Sequence, residues 1–415
     1  MIKIKPFKGI RPSKAFAHTV PSRSFESYTE EEIEAVTARD KTSFLNVISH
    51  TKNREIPPEK RLERVQKHLM SFLNKGYLKR DNTACFYAYR QEKGEHTTTG
   101  IIALTTADDY LNEKIRIHEN TLAAREKRFT NYLETVAFHA EPVLLTFPDD
   151  NCVHQIIYIE TRKTPTYKYY SEEEGISHTF WVVDNRLNIR QIIDGFKQID
   201  HLYVADGHHR IASAAAYTQH KRACDKSYVG IENYNYILSY LIPESEVNIC
   251  AYNRLVKDLN GHSPKAFLSQ LKGFCTVHPK GDTPYYPSQK HHISLYTEGK
   301  FYGLFIKHEL RGQPRGLGEL DTYLFEENVL TLLLDIRDTR QDKRIAFSPG
   351  SGDIRGIMEM KARIDSGEFK AGFAFYPVCI EDLKRVADLK LTMPPKSTYI
   401  EPKLHSGMII YNLDD

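Results

Sequence analysis

Apolar positions along the chain follow two spacings, and each predicts a kind of element. Leu62, Val65, Leu69 and Phe72 recur at helical intervals between Pro57-Pro58 and Gly76, which predicts a helix over 57–75. Leu122, Phe129, Leu133 and Val136 likewise mark one face of a charged helix over 119–139. Further helices are expected over 186–198 and, in an Ala-rich stretch, over 210–220, and Thr29-Glu30-Glu31-Glu32 reads as an acidic helix start. Short β-branched and aromatic runs predict strands at 85–89, 101–104, 143–147, 155–159, 178–183, 202–205, 236–242 and 247–252. Beyond the polar loop 257–262, helices near 264–272, 321–335, 356–365 and 380–388 alternate with strands near 292–296, 301–307, 343–347 and 371–375. The order predicts a mixed α/β (α+β) chain, not a sandwich, divided into a region 1–256 and a C-terminal α/β region 257–415.

Composition adds bounds. A length of 415 residues allows two or three domains, and 40% hydrophobic with 27% charged residues is ordinary for a soluble globular protein. A net charge of +3 gives no reason to expect nucleic acid or a membrane as partner. Cys85, Cys152, Cys224, Cys250, Cys275 and Cys379 are scattered, with no C-x-x-C pair, so they read as buried apolar residues of a reducing compartment. The opening MIKIKPFKGIRPSK lacks a signal-peptide apolar stretch, and no apolar run approaches the roughly 20 residues that span a bilayer. A cytoplasmic location is expected.

The richest chemistry lies in Tyr203 to Ala216. A strand ends at Ala205 and a small-residue helix begins near His208, with Gly207 allowing a sharp turn between them. The opening N–H groups and dipole of such a helix suit an anion, above all a phosphate. Arg210 adds a charge-assisted donor, Ser213 a hydroxyl, and Asp206 can hold Mg²⁺ or orient a hydroxyl. His208 and His209 are adjacent and so point in different directions; at most one faces a ligand. The plainer reading has Asp206 capping the helix and both histidines on the surface.

Two other segments carry suitable groups. His118, Glu119 and Thr121 at the start of the helix bearing Arg125 and Arg128 offer a base, a metal-binding carboxylate and a hydroxyl; alternatively they are a simple helix start. In the proline-stiffened run Met393 to Lys403, Lys396, Ser397 and Thr398 suit a phosphate, or the run is a packed tail. Ser348-Pro349-Gly350-Ser351-Gly352 is a further anion-friendly loop, while His291-His292 reads as structural. The chain has no G-x-S-x-G, H-E-x-x-H, G-x-G-x-x-G or kinase H-R-D signature, which weakens hydrolase, zincin, Rossmann and protein-kinase readings.

Ile4 to Pro12, His118 to Thr121, His178 to Trp181, Ala205 to Arg210 and the tail Met393 to Gly407 together resemble the prokaryotic domain-of-unknown-function family 1015, in order and over essentially the whole chain. The D-G-H-H-R turn is similar to the phosphate-binding turn of the ParB/sulfiredoxin superfamily, one branch of which comprises free-serine kinases using a nucleotide and Mg²⁺. The resemblance implies a ParB/sulfiredoxin-like nucleotide- or phosphate-binding core, elaborated by N- and C-terminal α/β regions. It implies a nucleotide (ATP or ADP) at Asp206 to Arg210 and serine or O-phosphoserine as substrate. The family's upstream catalytic glutamate matches no single position: Glu119 is the first choice on local chemistry, with Glu30, Glu31 and Glu32 as rivals.

The expected function is therefore phosphoryl transfer on a small hydroxyl compound or its phosphate ester, by a serine kinase-like or phosphoserine phosphatase-like enzyme. Gly207, His209, Arg210 and Ser213 hold phosphate, with Arg128, Lys396 and Ser397 neutralising charge. Asp206 and Glu119 hold Mg²⁺, and Asp206, His208, His209, Glu119 and His118 supply the catalytic groups. The alternative is a regulatory protein that binds a nucleotide without turning it over.

Overall fold

Runs made largely of apolar residues belong to strands covered on both faces, and two of them, Val143–Phe147 and Leu202–Asp206, are neighbours inside the largest sheet. A computed structural model describes residues 1–49, 57–149, 152–350 and 354–414. They form two compact units: Met1–Arg116 with Thr121–Asn248 and Pro402–Asp415, and Ile117–Asn120 with Ile249–Glu401. The fold is mixed α/β.

In the first unit a nine-stranded sheet runs in the order Ile115–Arg116, Leu202–Asp206, Val143–Phe147, Tyr236–Pro243, His96–Thr106, Phe86–Lys93, Ile176–Val183, Tyr167–Ser171. Ile4–Lys5 pairs with the far end of His96–Thr106. Val143–Phe147 lies parallel to Tyr236–Pro243 and antiparallel to Leu202–Asp206. The last pairing is irregular: Val204 faces Leu145, but Leu144 is met by Asp206, so Ala205 forms a bulge. A bulge bends its strand and re-aims the next side chain.

The helix His208–Cys224 follows directly. Ala212, Ser213, Ala214 and Ala215 are buried along it. Such short side chains let backbones approach closely, and Thr130 of the helix Ala123–Val136 donates to the Ser213 carbonyl at 3.4 Å. A separate core holds Leu69 and Phe72 of the helix Pro58–Asn74 against Ile10, Phe44, Phe138 and Ile410. Residues 402–414 return to this unit: Tyr411–Asn412 pairs with Phe138–His139, and bridges join Ser406 to Ser22 and Ile410 to Ile10.

The second unit is built on an antiparallel six-stranded sheet ordered Cys275–Gly281, Lys300–Ile306, His292–Thr297, Ala371–Phe375, Tyr252–Val256, Ile345–Pro349. Phe267, Leu295, Phe325 and Phe373 are among its buried core.

Several expectations are corrected. Residues 155–159 are not a strand but part of the helix Cys152–Glu160; Val153, Ile156, Ile157 and Glu160 are buried at helical spacing while Tyr158 and Ile159 are exposed. A short apolar run fits either element until its neighbours decide. The helix expected over 119–139 begins only at Ala123, so His118 and Glu119 precede it in a bend. The stretch 321–335 is an α-helix Asp321–Phe325 continued as a π-helix Glu326–Thr331. His291 stands outside the strand that His292 opens. Cys152, Cys224 and Cys379 are exposed instead of buried. Ser351 and Gly352 of the glycine-serine loop lie outside the described residues. Among the described residues no helix is long and apolar enough to cross a membrane.

Candidate functional site: a charged ring at the Asp206 turn

The bulge at Ala205 and the left-handed Gly207 (φ 98°, ψ 29°) reverse the chain between strand and helix within two residues. Gly207 itself occupies the N-cap, and no side chain caps the helix. Asp206 is thus not a cap. Its carboxylate is shared between two cations: Oδ1 accepts from Lys403 Nζ at 3.0 Å, and Oδ2 from Arg210 at 2.9 Å. Burial alone would push this carboxyl up, but Lys403 and Arg210 outweigh it and hold it at about 2.

Arg210 extends the ring. Its other terminal nitrogen donates to Glu141 Oε2 at 3.0 Å, and Ser24 donates to the same oxygen at 3.3 Å. Ser406 donates to Glu141 Oε1. The tail therefore contributes twice, through Lys403 and Ser406. A planar guanidinium between two carboxylates, beside a lysine and an uncapped helix start, gathers fixed donors at the C-terminal end of the strand Leu202–Asp206. Such donors suit a phosphate or a carboxylate.

The two histidines separate as expected from their adjacency. His208 is buried, and burial, only partly opposed by Asp206, holds its imidazole down at about 4; at neutral pH it is an uncharged group. His209 is partly exposed, and its carbonyl accepts from Ser213 Oγ at 2.7 Å. Ser213 is fully buried, so its hydroxyl serves the helix interior. Arg128, on the helix Ala123–Val136, is largely exposed and pairs with Glu26 at 3.6 Å.

His118, Glu119, Lys396 and Ser397 belong to the second unit. His118 is buried, its Nε2 lies 3.3 Å from Thr398 Oγ1, and its carbonyl accepts from Met393 N. Glu119 adjoins it in the bend. Ser397 is buried and bonded to the Pro394 carbonyl at 2.7 Å and to Thr322 at 3.0 Å. Lys396 lies over the Tyr252 ring at 5.0 Å. The rival glutamates open the helix Glu30–Arg39, where Thr29 and Glu32 form a capping box.

Lys403, Glu141, Ser406 and Ser24 were not singled out by sequence reasoning. Lys403 and Ser406 do fall in the tail segment that carries the family resemblance, which was the available signal. A hollow of about 540 Å³ lined by Gln66, Met70, Arg80 and Phe138 includes none of the ring residues.

Comparison with solved structures finds a free serine kinase in complex with AMP, 12% identical, covering 75% of this chain and 91% of its own, with a TM-score of 0.38. A mutant free serine kinase in complex with ADP gives 12% identity, 75% and 92% coverage and a TM-score of 0.38. SbnI from Staphylococcus aureus, with a C-terminal truncation, gives 11% identity, 74% and 87% coverage and a TM-score of 0.37. No curated protein sequence matches the chain. A family model does match, over residues 4–323, and the chain accordingly belongs to the family described as "Protein of unknown function (DUF1015)".

Proposed function

We propose that the chain is a small-molecule phosphoryl-transfer enzyme acting on free serine or O-phosphoserine, with a nucleotide phosphate held at the Asp206 turn. The observation that carries the proposal is the clamped carboxylate: Asp206 is held ionised by Lys403 and Arg210 at an uncapped helix start. Phosphoryl transfer depends chiefly on positioning and charge neutralisation, which such a ring supplies. The likeness of Ala205 to Arg210 to the turn of the free-serine kinases supports serine as the substrate.

In this reading Arg210, Lys403 and the helix N-terminus hold phosphate oxygens, with His209 at their edge. Asp206 orients the substrate hydroxyl. Glu141, on the far side of Arg210 and bonded to Ser24 and Ser406, holds the guanidinium in place. Uncharged His208 packs beneath the turn. Both Asp206 oxygens have cationic partners, so a Mg²⁺ ion would be held chiefly by the nucleotide phosphates, whose charge it would help to neutralise.

The test is phosphate release from O-phosphoserine with Mg²⁺, with and without ADP, beside the reverse assay of serine with ATP or ADP. Turnover is expected, falling about 100-fold or more in Asp206→Asn, the scale of removing one well-placed electrostatic group. Saturable nucleotide binding without turnover would replace the enzyme by a regulatory nucleotide-binding protein. Full activity in a folded Asp206→Asn would remove the site altogether.

A further inference from the structure

A second group of ionisable side chains lies in the first unit, and the Asp206 ring does not use it. Glu174 sits in the turn of the hairpin Tyr167–Ser171/Ile176–Val183, His178 on its second strand, and His405 on the returning segment two residues past Lys403. One ligand-type atom from each lies within 4.8 Å of the other two. His178 is 1% exposed and His405 4%, so solvent scarcely reaches the rings.

The surroundings orient both imidazoles alike. Tyr89 Oη lies 2.6 Å from His178 Nδ1, and Tyr169 Oη 3.2 Å from His405 Nδ1. Each ring therefore engages its tyrosine through Nδ1 and not through Nε2, and the two ring centroids are 4.3 Å apart. His405 Nε2 lies 2.6 Å from Glu174 Oε2, which also accepts from Ser171 Oγ at 3.1 Å. His178 Nε2 is buried and has no hydrogen-bond partner among the described residues. A Glu174–His405 pair alone explains the first contact and leaves the second ring unexplained, although buried polar atoms are as a rule satisfied.

We propose that Glu174, His178 and His405 bind a divalent first-row transition metal of the zinc class, through one carboxylate oxygen and the two Nε2 atoms, with a fourth position left for water. Ligands at about 2.0–2.2 Å in a tetrahedron stand roughly 3.3 Å from one another, and one candidate atom from each of the three residues already lies within 4.8 Å of the others. Two imidazoles and a carboxylate suit zinc better than magnesium or calcium, which prefer all-oxygen sets. With metal on Nε2, each Nδ1–H donates to its tyrosine, and Ser171 steadies the carboxylate; such outer partners fix tautomer and ring orientation. The site shares no residue with the phosphate ring, so the two proposals stand or fall separately.

The experiment uses the full chain, stripped with chelator, equilibrated with Zn²⁺ and dialysed, with metal content measured by mass spectrometry and Co²⁺ substitution followed by visible absorption. About one zinc per chain and a four-coordinate cobalt spectrum are expected. His178→Gln and His405→Gln should each weaken zinc binding about 100-fold, and Tyr89→Phe by about 10-fold or more. Asp206→Asn should keep the full metal content whatever it does to turnover. Absence of stoichiometric zinc in the folded wild-type chain would overturn the proposal, as would metal retained in both histidine variants. If those variants do not fold, the wild-type cobalt spectrum decides: bands of the six-coordinate aqueous ion alone also overturn it.

Discussion

Asp206 carries a negative charge that burial opposes and Lys403 and Arg210 sustain. Its folded pKa, about 2, lies below the ordinary 3.8, so its contribution to stability is complete above pH 3.8 and is lost as pH falls through about 2. An acid limb of activity above about pH 4 therefore has to come from another group. His208 and His139 act in a higher window. Burial depresses both from 6.5 to about 4, so between those values the unfolded chain binds protons that the folded one refuses. Stability should fall as pH drops from 6.5 towards 4, by at most about 1.4 kcal/mol per pH unit for each histidine. Urea midpoints across this range check the slope. In His139→Asn, which can still accept the bond that His139 Nδ1 takes from Leu238 N, the slope should be shallower; an unchanged slope would contradict the assignment.

Among the elements, the strand-to-helix connection at Gly207 is the most constrained. A side chain there would adopt φ 98° and place its Cβ 3.0 Å from Arg210 Nε. Gly207→Ala should cost about 1–3 kcal/mol in urea unfolding and should weaken phosphate binding by displacing Arg210. A neutral effect on both would mean that the turn relaxes without cost. This connection was legible in the sequence, because strand, Asp-Gly and small-residue helix each have a local signature. The bulge at Ala205 was not, since it is defined by pairing with Leu144 and Leu145 of another strand. Nor was the helix Cys152–Glu160 legible: its run of apolar residues has two exposed members, Tyr158 and Ile159, and only packing shows which face is buried. Glu141 was invisible for a similar reason, being an ordinary acidic residue until Arg210 and Ser406 meet it.

At the scale of the whole molecule, the first unit is assembled from distant stretches of chain. The bond from Lys403 to Asp206 spans 197 residues, and a partner so remote leaves no local periodicity to read. Sequence reasoning marked the proline-rich tail but favoured Lys396 and Ser397, which pack in the second unit. Deleting residues 402–415 removes Lys403, His405, the Tyr411–Asn412 strand and the buried Ile409 and Ile410. Limited proteolysis with mass spectrometry should then find protection confined to 249–401; continued protection of the first unit would show that the tail is dispensable. The same connectivity sets an order of events during synthesis. Residues 249–401 leave the ribosome before the segment that completes the first unit, and at about 5–20 residues per second their translation takes roughly 8–30 s. For that interval the unit made first waits without its final strand and without the lysine that neutralises Asp206, so the charged ring closes only after the second unit has been synthesised.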